Sequence, residues 1–424
     1  MLQTSYIREH KDLILERYKK RNFSGEKIIN QILKLDDDRK TTQQEMDAQL
    51  AESNQLAKQV GELFKSGKTK EASFAKEDAA HLKKRVSYLK EKQEHIIGEL
   101  QALLYQLPNV PNEIVPTGKS DEDNEIVFEK DDPVVFDIKN SLPHWELAKK
   151  YNIIDFELGV KVTGAGFPFY IGKGARLQRA LINFFLDEAR DAGYLEIIPP
   201  LMVNEASGIG TGQLPDKEGQ MYHTPIDDFY LIPTAEVPLT NMYRDIILKE
   251  SDFPIKVTGY TPCFRREAGS YGKDVRGLNR LHQFDKVEIV QIQHPTKSYE
   301  TLDVMVDYVK GLLEKLELPF RVLRLCGGDL GFTSTLTYDL EVFSAAQVKW
   351  LEVSSVSNFE SFQANRLKCR YKDENGKTQL VHTLNGSALA LPRILAALLE
   401  NNQTKEGIRI PKVLVPYTSF DLIN

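Results

Sequence analysis

Cysteine is nearly missing from this chain: Cys263, Cys326 and Cys369 are the only three in 424 residues, and they lie far apart. An odd, scattered set makes no disulfide framework and offers no closely spaced pair for a metal. That scarcity suits a reducing compartment, so the cytoplasm is the expected location. Long apolar runs are missing as well. The opening MLQTSYIREHKDL carries charge where a secretory leader needs an apolar stretch, and no segment stays apolar for the thickness of a bilayer. No membrane association is expected. Nor is there a surplus of positive charge: the formal net charge is −6, so any nucleic-acid surface has to be a local patch. What is present, 41% hydrophobic and 27% charged residues over a length sufficient for two or three domains, is ordinary for a globular protein.

Proline is absent from Ser24 to Leu104, where glycine is sparse and Lys, Glu, Gln and Ala abound. Steps of three and four pick out Ile28, Ile32 and Leu35, then Met46, Leu56, Val60 and Leu63. A second run gives Leu82, Val86, Leu89, Ile96, Leu100 and Leu103. Both read as coiled-coil seams, with Lys65-Ser66-Gly67-Lys68 as the turn between them. The pattern predicts an antiparallel helical arm whose first helix is roughly 60 Å long. Between Lys58 and Glu94 there are ten Lys or Arg against six Asp or Glu, densest at Lys83-Lys84-Arg85. Such a run is either a solvated helical face or a grip for a nucleic-acid backbone, and composition leaves both open. Proline returns in Pro108–Asn124, PNVPNEIVPTGKSDEDN, which reads as a strap. The expected organisation is therefore an N-terminal domain with the arm (1–107), a linker (108–125) and a larger domain (126–424). In the last of these, strands and helices do not alternate regularly. That predicts an α+β fold with a mainly antiparallel sheet flanked by helices.

Several stretches of the larger domain carry chemistry. Val257–Phe264 and Phe284–Ile292 are β-prone and flank a loop rich in Gly, Arg and Lys, with Arg265-Arg266-Glu267 at its start and Glu288 in the second strand. Such a hairpin can clamp a polyphosphate through bidentate Arg contacts, or it can be a surface ribbon with cross-strand ion pairs of little worth. SGIGTGQLP, with Gly208, Gly210 and Gly212, reads as a loop; Pro215 and the lack of a following helical pattern speak against a dinucleotide fingerprint. GYLEIIPPLMVN is a strand ending in a Pro-Pro break, at a sheet edge or in a subunit interface. Trp350–Ser355 sets the carboxylate of Glu352 beside Ser354 and Ser355 at the end of a strand-like run, hard oxygen donors suited to Mg²⁺ on phosphates. The plainer reading is a strand followed by a Ser-rich loop. His382–Arg393 reads as a turn feeding a helix that starts near Ala388, with Arg393 in its first turns as an anion site.

These stretches together resemble the class II aminoacyl-tRNA synthetases. The hairpin is similar to motif 2, the segment ending at Pro200 to motif 1, and Asn385–Arg393 to motif 3. Within the class, the chain resembles the seryl-tRNA synthetases of bacterial type. The likeness rests on the arm, the PNVP…VP strap, HWELA at His144–Ala148, DFELG at Asp155–Gly159, GTGQLP, Thr234-Ala235-Glu236, FRREAGSYG, HQFDKVE, EVSS and TLNGS, in order along the whole chain. Ala388, Ala390 and Pro392 stand where class II patterns often have Gly.

The resemblance implies ATP-dependent attachment of L-serine to tRNA(Ser). A seryl-adenylate forms first, and the acyl group then passes to the terminal ribose 3′-hydroxyl; serine charging of tRNA(Sec) is a further expectation of the same kind. It implies Arg265 on the α-phosphate, Arg393 on the γ-phosphate, and Glu267 and Phe284 at adenine. Arg266, Val353 and Ser354 complete the ATP site, with Glu352 and Ser355 carrying Mg²⁺. It places Thr234, Ala235, Glu236, Arg280, Glu288, Asn385 and Ser387 around serine, with Arg265, Glu288 and Arg393 as the catalytic set. Lys83, Lys84 and Arg85, with Lys273 and Arg276, would meet tRNA. A homodimer and no structural zinc are implied as well. A threonyl- or prolyl-specific relative is disfavoured by the arm and strap, and a carrier-protein-charging relative by the intact arm. A non-catalytic tRNA-binding protein would require loss of Arg265, Glu288 or Arg393, all of which are present.

Overall fold

The computed structural model describes residues 1–130, 141–216, 218–267 and 276–424. Two compact units result: Met1–Tyr18 with Phe23–Pro108, and Lys19–Asn22 with Asn109–Asn424. The first holds the helical pair, α1 (Glu26–Lys65) and α2 (Thr69–Leu104), packed along their length. The turn between them falls on Ser66–Lys68, with Gly67 at φ +78°, a conformation glycine adopts without steric cost.

The seam differs in phase from its apolar pattern at the root of α1. Ile29 and Asp36 are buried there, whereas Ile28 and Leu35 are only half-buried; on α2, Leu104 is buried and Leu103 half-buried. Hydrophobic periodicity cannot anticipate a buried carboxylate, and Asp36 is tolerated because three cations meet it. Arg8, on the helix Thr4–Glu9, approaches to 3.0 Å, Arg39 to 2.9 Å and Lys40 to 2.8 Å. Burial alone would raise this carboxyl, but the hydrogen bonds from Lys40, Arg39 and Arg8 overcome it and hold it down at about 2. Since the folded value lies below the ordinary one, the ionised group stabilises the unit above about pH 4, and that contribution fades as pH falls towards 2. Asp36→Asn is expected to cost about 2 kcal/mol at neutral pH and to flatten the acid limb of stability, as read from thermal unfolding across that range. Further out, Gln93 donates to Gln43 across the seam at 3.2 Å.

The second unit is built on an eight-stranded sheet. In chain order its strands are β1 (Glu125–Lys130), β2 (Leu195–Glu196), β3 (Ile255–Phe264), β4 (Gln283–Gln293), β5 (Phe320–Arg324), β6 (Leu336–Ser344), β7 (Lys349–Glu360) and β8 (His382–Ala390). Their spatial order is β1-β5-β6-β7-β8-β4-β3-β2, antiparallel throughout except for the β2–β3 pair. With α3 (His144–Lys150), three longer helices supply most of the apolar layer: α4 (Lys173–Asp191), α5 (Ser298–Lys315) and α6 (Leu391–Asn401). Leu181, Phe185, Met305, Val309, Ile394 and Leu395 from these helices share one core with Val287, Ile289, Val342, Val356 and Leu384 of the sheet. Strand alternation then turns the residues between to the opposite face.

Three expectations are corrected here. Glu205–Thr211, read as part of a glycine loop, is a short helix whose Asn204 side chain accepts the Ser207 N–H at 3.0 Å. Its glycines serve packing: a Cβ at Gly208 would meet Leu214 at 2.7 Å, and one at Gly210 would meet Leu367 at 2.7 Å. Ser354 and Ser355 lie inside β7, which runs on to Glu360, rather than at a strand end. Residues His382–Ala390, read as a turn feeding a helix, form a full strand; α6 begins only at Leu391, with Pro392 in its first turn.

Candidate active site

On β4 the side chains of Lys286 and Glu288 alternate with the core residues Val287 and Ile289, and together with Phe284, whose ring also packs against the edge of the core, they line one cavity of about 640 Å³. Arg265 extends β3 by one residue, its N–H donating to the His282 carbonyl at 2.9 Å. Its guanidinium lies 5.2 Å over the Phe284 ring, and Nε donates to the Pro233 carbonyl at 3.4 Å. Glu267 accepts from Arg280 at 3.0 Å, tying a residue expected at adenine to one expected at serine.

Two register shifts aim the neighbouring strands. Leu340 pairs with Ser354 and Glu341 with Glu352, leaving Val353 as an extra residue in β7. A regular strand puts residues three apart on opposite faces; the bulge lets both Glu352 and Ser355 line the cavity. In β8 the same happens between Ser387 and Ala390, which pair with Glu288 and Lys286. Asn385, Ser387 and Ala390 all reach the cavity as a result. Arg393, at the start of α6, donates through Nη1 to the Glu352 carbonyl at 2.7 Å and through Nε to the Asn279 carbonyl at 3.2 Å.

The deepest part of the cavity is charged on both signs. Lys286 Nζ lies 2.5 Å from Glu288 and donates to Thr234 Oγ1 at 2.9 Å, while Thr234 donates to Glu288 at 3.3 Å. Glu236 accepts from Gln363 at 2.6 Å, and Gln363 is held in turn by the Thr383 hydroxyl at 2.7 Å. Burial first, and then the charge of Glu288, push the Glu236 carboxyl up to about 7 against the bond from Gln363. Burial raises Glu288 too, with Lys286 opposing it.

Thr234, Glu236, Arg265, Glu267, Arg280, Phe284, Glu288, Glu352, Val353, Ser354, Ser355, Asn385, Ser387 and Arg393 are therefore brought together. Two other expected residues are not in the lining. Ala235 is buried with Leu239, Val257 and Val290, and the Arg266 N–H donates to the Gln220 carbonyl at 2.8 Å. Lys83, Lys84 and Arg85 are exposed on α2; Arg276 stacks over Trp145 at 4.6 Å; Lys273 lies outside the described residues. Sequence reasoning missed Lys286 and Gln363. Strand alternation back from Glu288 points to Lys286, whereas nothing in the local sequence singles out Gln363.

For Mg²⁺, Glu352 and Ser355 offer two hard oxygens on one wall. Among the described residues no group of three or more His, Cys, Asp or Glu is placed to hold a metal. That donor set fits an ion which keeps most of its shell as water and nucleotide phosphate.

Comparisons with known proteins agree along the whole chain. A family model described as the seryl-tRNA synthetase N-terminal domain matches residues 1–111, and the class II tRNA synthetase core domain (G, H, P, S and T) matches 222–402. The chain is 50% identical to a serine–tRNA ligase of Salinibacter ruber, covering 99% of this chain and 98% of that one. It is 46% identical to a serine–tRNA ligase of Prosthecochloris aestuarii, over 100% and 99%. A solved seryl-tRNA synthetase of Pyrococcus horikoshii complexed with ATP superposes with a TM-score of 0.91 at 34% identity, covering 100% of this chain and 99% of that one.

Proposed function

The chain belongs to the seryl-tRNA synthetase family, and from that premise we propose that this cleft carries both half-reactions of serine attachment to tRNA, with the residue roles given below. The enzyme is a serine–tRNA ligase: it consumes ATP, forms seryl-adenylate, and transfers serine to tRNA. The observation that carries the assignment of roles is the pairing of a cationic rim, Arg265 and Arg393, with a buried carboxylate pair, Glu236 and Glu288, in one cavity.

A serine carboxylate oxygen attacks the α-phosphorus of ATP, forming one O–P bond as the bond to the β-phosphate bridge breaks and pyrophosphate leaves. Arg265 sits where a guanidinium fork meets the α-phosphate, and Arg393, anchored on Glu352 and Asn279, meets the departing phosphates. Little covalent work falls to the protein; the groups position the reactants and offset growing charge. Phe284 offers a face to adenine and Glu267 a carboxylate to its amino group. Glu352 and Ser355 would hold Mg²⁺, which supplies charge neutralisation on the phosphates when bound. Glu236 and Glu288 take the serine ammonium. Thr234, Asn385 and Ser387 bond the hydroxyl and carboxylate, so that alanine leaves polar groups unpaired. The 3′-hydroxyl of tRNA then attacks the acyl carbon and AMP leaves.

The basic face of α2 would meet the tRNA backbone, which is read by shape. A tRNA(Sec) of the same shape would meet the same face. We place the homodimer contact on the sheet edge at β2, where Leu195 and Met202 are exposed and Ile198 is 90% exposed. The three cysteines are free and buried, in keeping with a cytoplasmic protein.

Pyrophosphate exchange across a panel of amino acids tests this reading; exchange driven by threonine or proline and not serine would overturn it. The raised Glu236 carboxyl adds a prediction of sign. Below about pH 7 it is protonated, and an ammonium must displace that proton to bind. The KM for serine is therefore expected to fall by up to about tenfold from pH 6 to pH 8, and Glu236→Gln to raise KM and flatten the profile.

A further inference from the structure

The HWELA stretch carries a histidine that the chemistry above leaves without a task. His144 opens α3 and is fully buried, as is Glu400 near the end of α6. Its Nδ1 lies 2.7 Å from Glu400 Oε1, and its backbone N–H donates to the same oxygen at 2.9 Å. Its Nε2 accepts the backbone N–H of Leu278 at 2.8 Å, which leaves Nδ1 as the donor to Glu400. The carboxylate is fully engaged: the Ser344 hydroxyl donates to Oε2, and Gln347 donates to Oε1 at 2.9 Å. Gln347 in turn accepts from Asn279 Nδ2 at 2.9 Å.

Leu278, Asn279, Arg280 and Leu281 all line the active-site cavity. The same α6 therefore grips this wall twice. Glu400 acts near its end through His144 and Gln347, and Arg393 acts at its start through the Asn279 carbonyl. Approach to the imidazole is close. Gly277 has φ +68°, and a Cβ there would meet His144 Nε2 at 2.1 Å.

We infer that His144 is a positioning residue: the Glu400–His144 pair fixes the Leu278–Leu281 wall so that Arg280 and the Arg393 anchor stand ready before substrates arrive. This rests on the reading of the cleft given above. With the wall loosened, part of the substrates' binding energy goes into ordering it, which raises KM with little change in kcat.

Two variants separate this role from simple stability. In His144→Asn the side-chain amide keeps the donor to Glu400 but loses the acceptor for Leu278. In His144→Gln the side-chain oxygen stands near the position of Nε2 and keeps that acceptor, but the donor to Glu400 is lost. His144→Asn is expected to raise KM for serine and ATP about tenfold, with kcat within about threefold and a modest loss of Tm, since the buried Leu278 N–H is left unpaired. His144→Gln, which keeps the Leu278 acceptor but not its tie to Glu400, is expected to lower Tm at least as much as His144→Asn while raising both KM values only about threefold. Serine-dependent pyrophosphate exchange gives the kinetics, and calorimetric titration with ATP gives nucleotide affinity without reliance on serine. Unchanged KM and ATP affinity in His144→Asn, or losses in both variants that track only the folded fraction, would overturn the inference. If the parent protein binds ATP but lacks serine-dependent exchange, the reading of the cleft fails, and the titration of the two variants still decides the role of His144.

Discussion

Arg265→Ala is expected to slow serine-dependent pyrophosphate exchange by about 10²–10³-fold, the cost found when one fixed donor to a developing charge is removed. The guanidinium is held from two sides, by the Phe284 ring and by the Pro233 carbonyl, so in the proposed role it would meet the α-phosphate without first having to be ordered. Arg265→Lys should recover only part of the rate, because an ammonium keeps the charge and loses the planar fork. The side chain lies at the mouth of a polar cavity rather than in the apolar core, so thermal unfolding of both variants should match the parent's. Exchange within threefold of the parent in a folded Arg265→Ala protein would remove Arg265 from the reaction.

The second large effect is selective. Deleting Gln44–Lys92 and joining Gln43 to Gln93 through a short glycine turn should leave exchange within about threefold and reduce tRNA charging by at least about 100-fold. The cut suits the architecture. Gln43 and Gln93 already touch across the seam at 3.2 Å, so the stump closes on a native rung. All the residues lining the cleft lie in the other unit. The deletion removes Lys83, Lys84 and Arg85 together with the rest of the basic face, and with it the counterion release that backbone binding draws on. Loss of exchange in a folded deletion variant would show that the two half-reactions are not divided between the units.

Much of this was legible beforehand because it rests on local rules. The two seams and their turn follow from apolar spacing, and the β3–β4 hairpin from β-prone runs around a glycine-rich loop. The differences arise where tertiary partners decide. The burial of Asp36 in place of Leu35 depends on Arg8, which is distant in sequence. The helix at Glu205–Thr211 holds two glycines, the poorest helix formers after proline, because Leu214 and Leu367 leave no room for a side chain at Gly208 and Gly210. Ala and Leu favour helix, which puts the expected start of α6 near Ala388, whereas the pairing of Ser387 and Ala390 with β4 holds Ala388 and Leu389 between them in the strand. Among site residues, Glu288 and Arg393 were visible through motifs. Gln363 was not, since its role exists only through Glu236 and Thr383.

The two bulges, at Val353 and between Ser387 and Ala390, have a consequence for how such a site tolerates change. Neither supplies a reactive group, yet each decides which side chains share a wall with Glu352 or Glu288. The reactive surface is therefore written in residue count as well as in residue type. Substitution at Val353 by another β-former keeps the count and the geometry, whereas a single-residue insertion between Val353 and Ser355 would take Glu352 and Ser355 off their shared face while every one of these side chains remained in the sequence. Chain length within these strands is a constraint that no inventory of essential side chains would reveal.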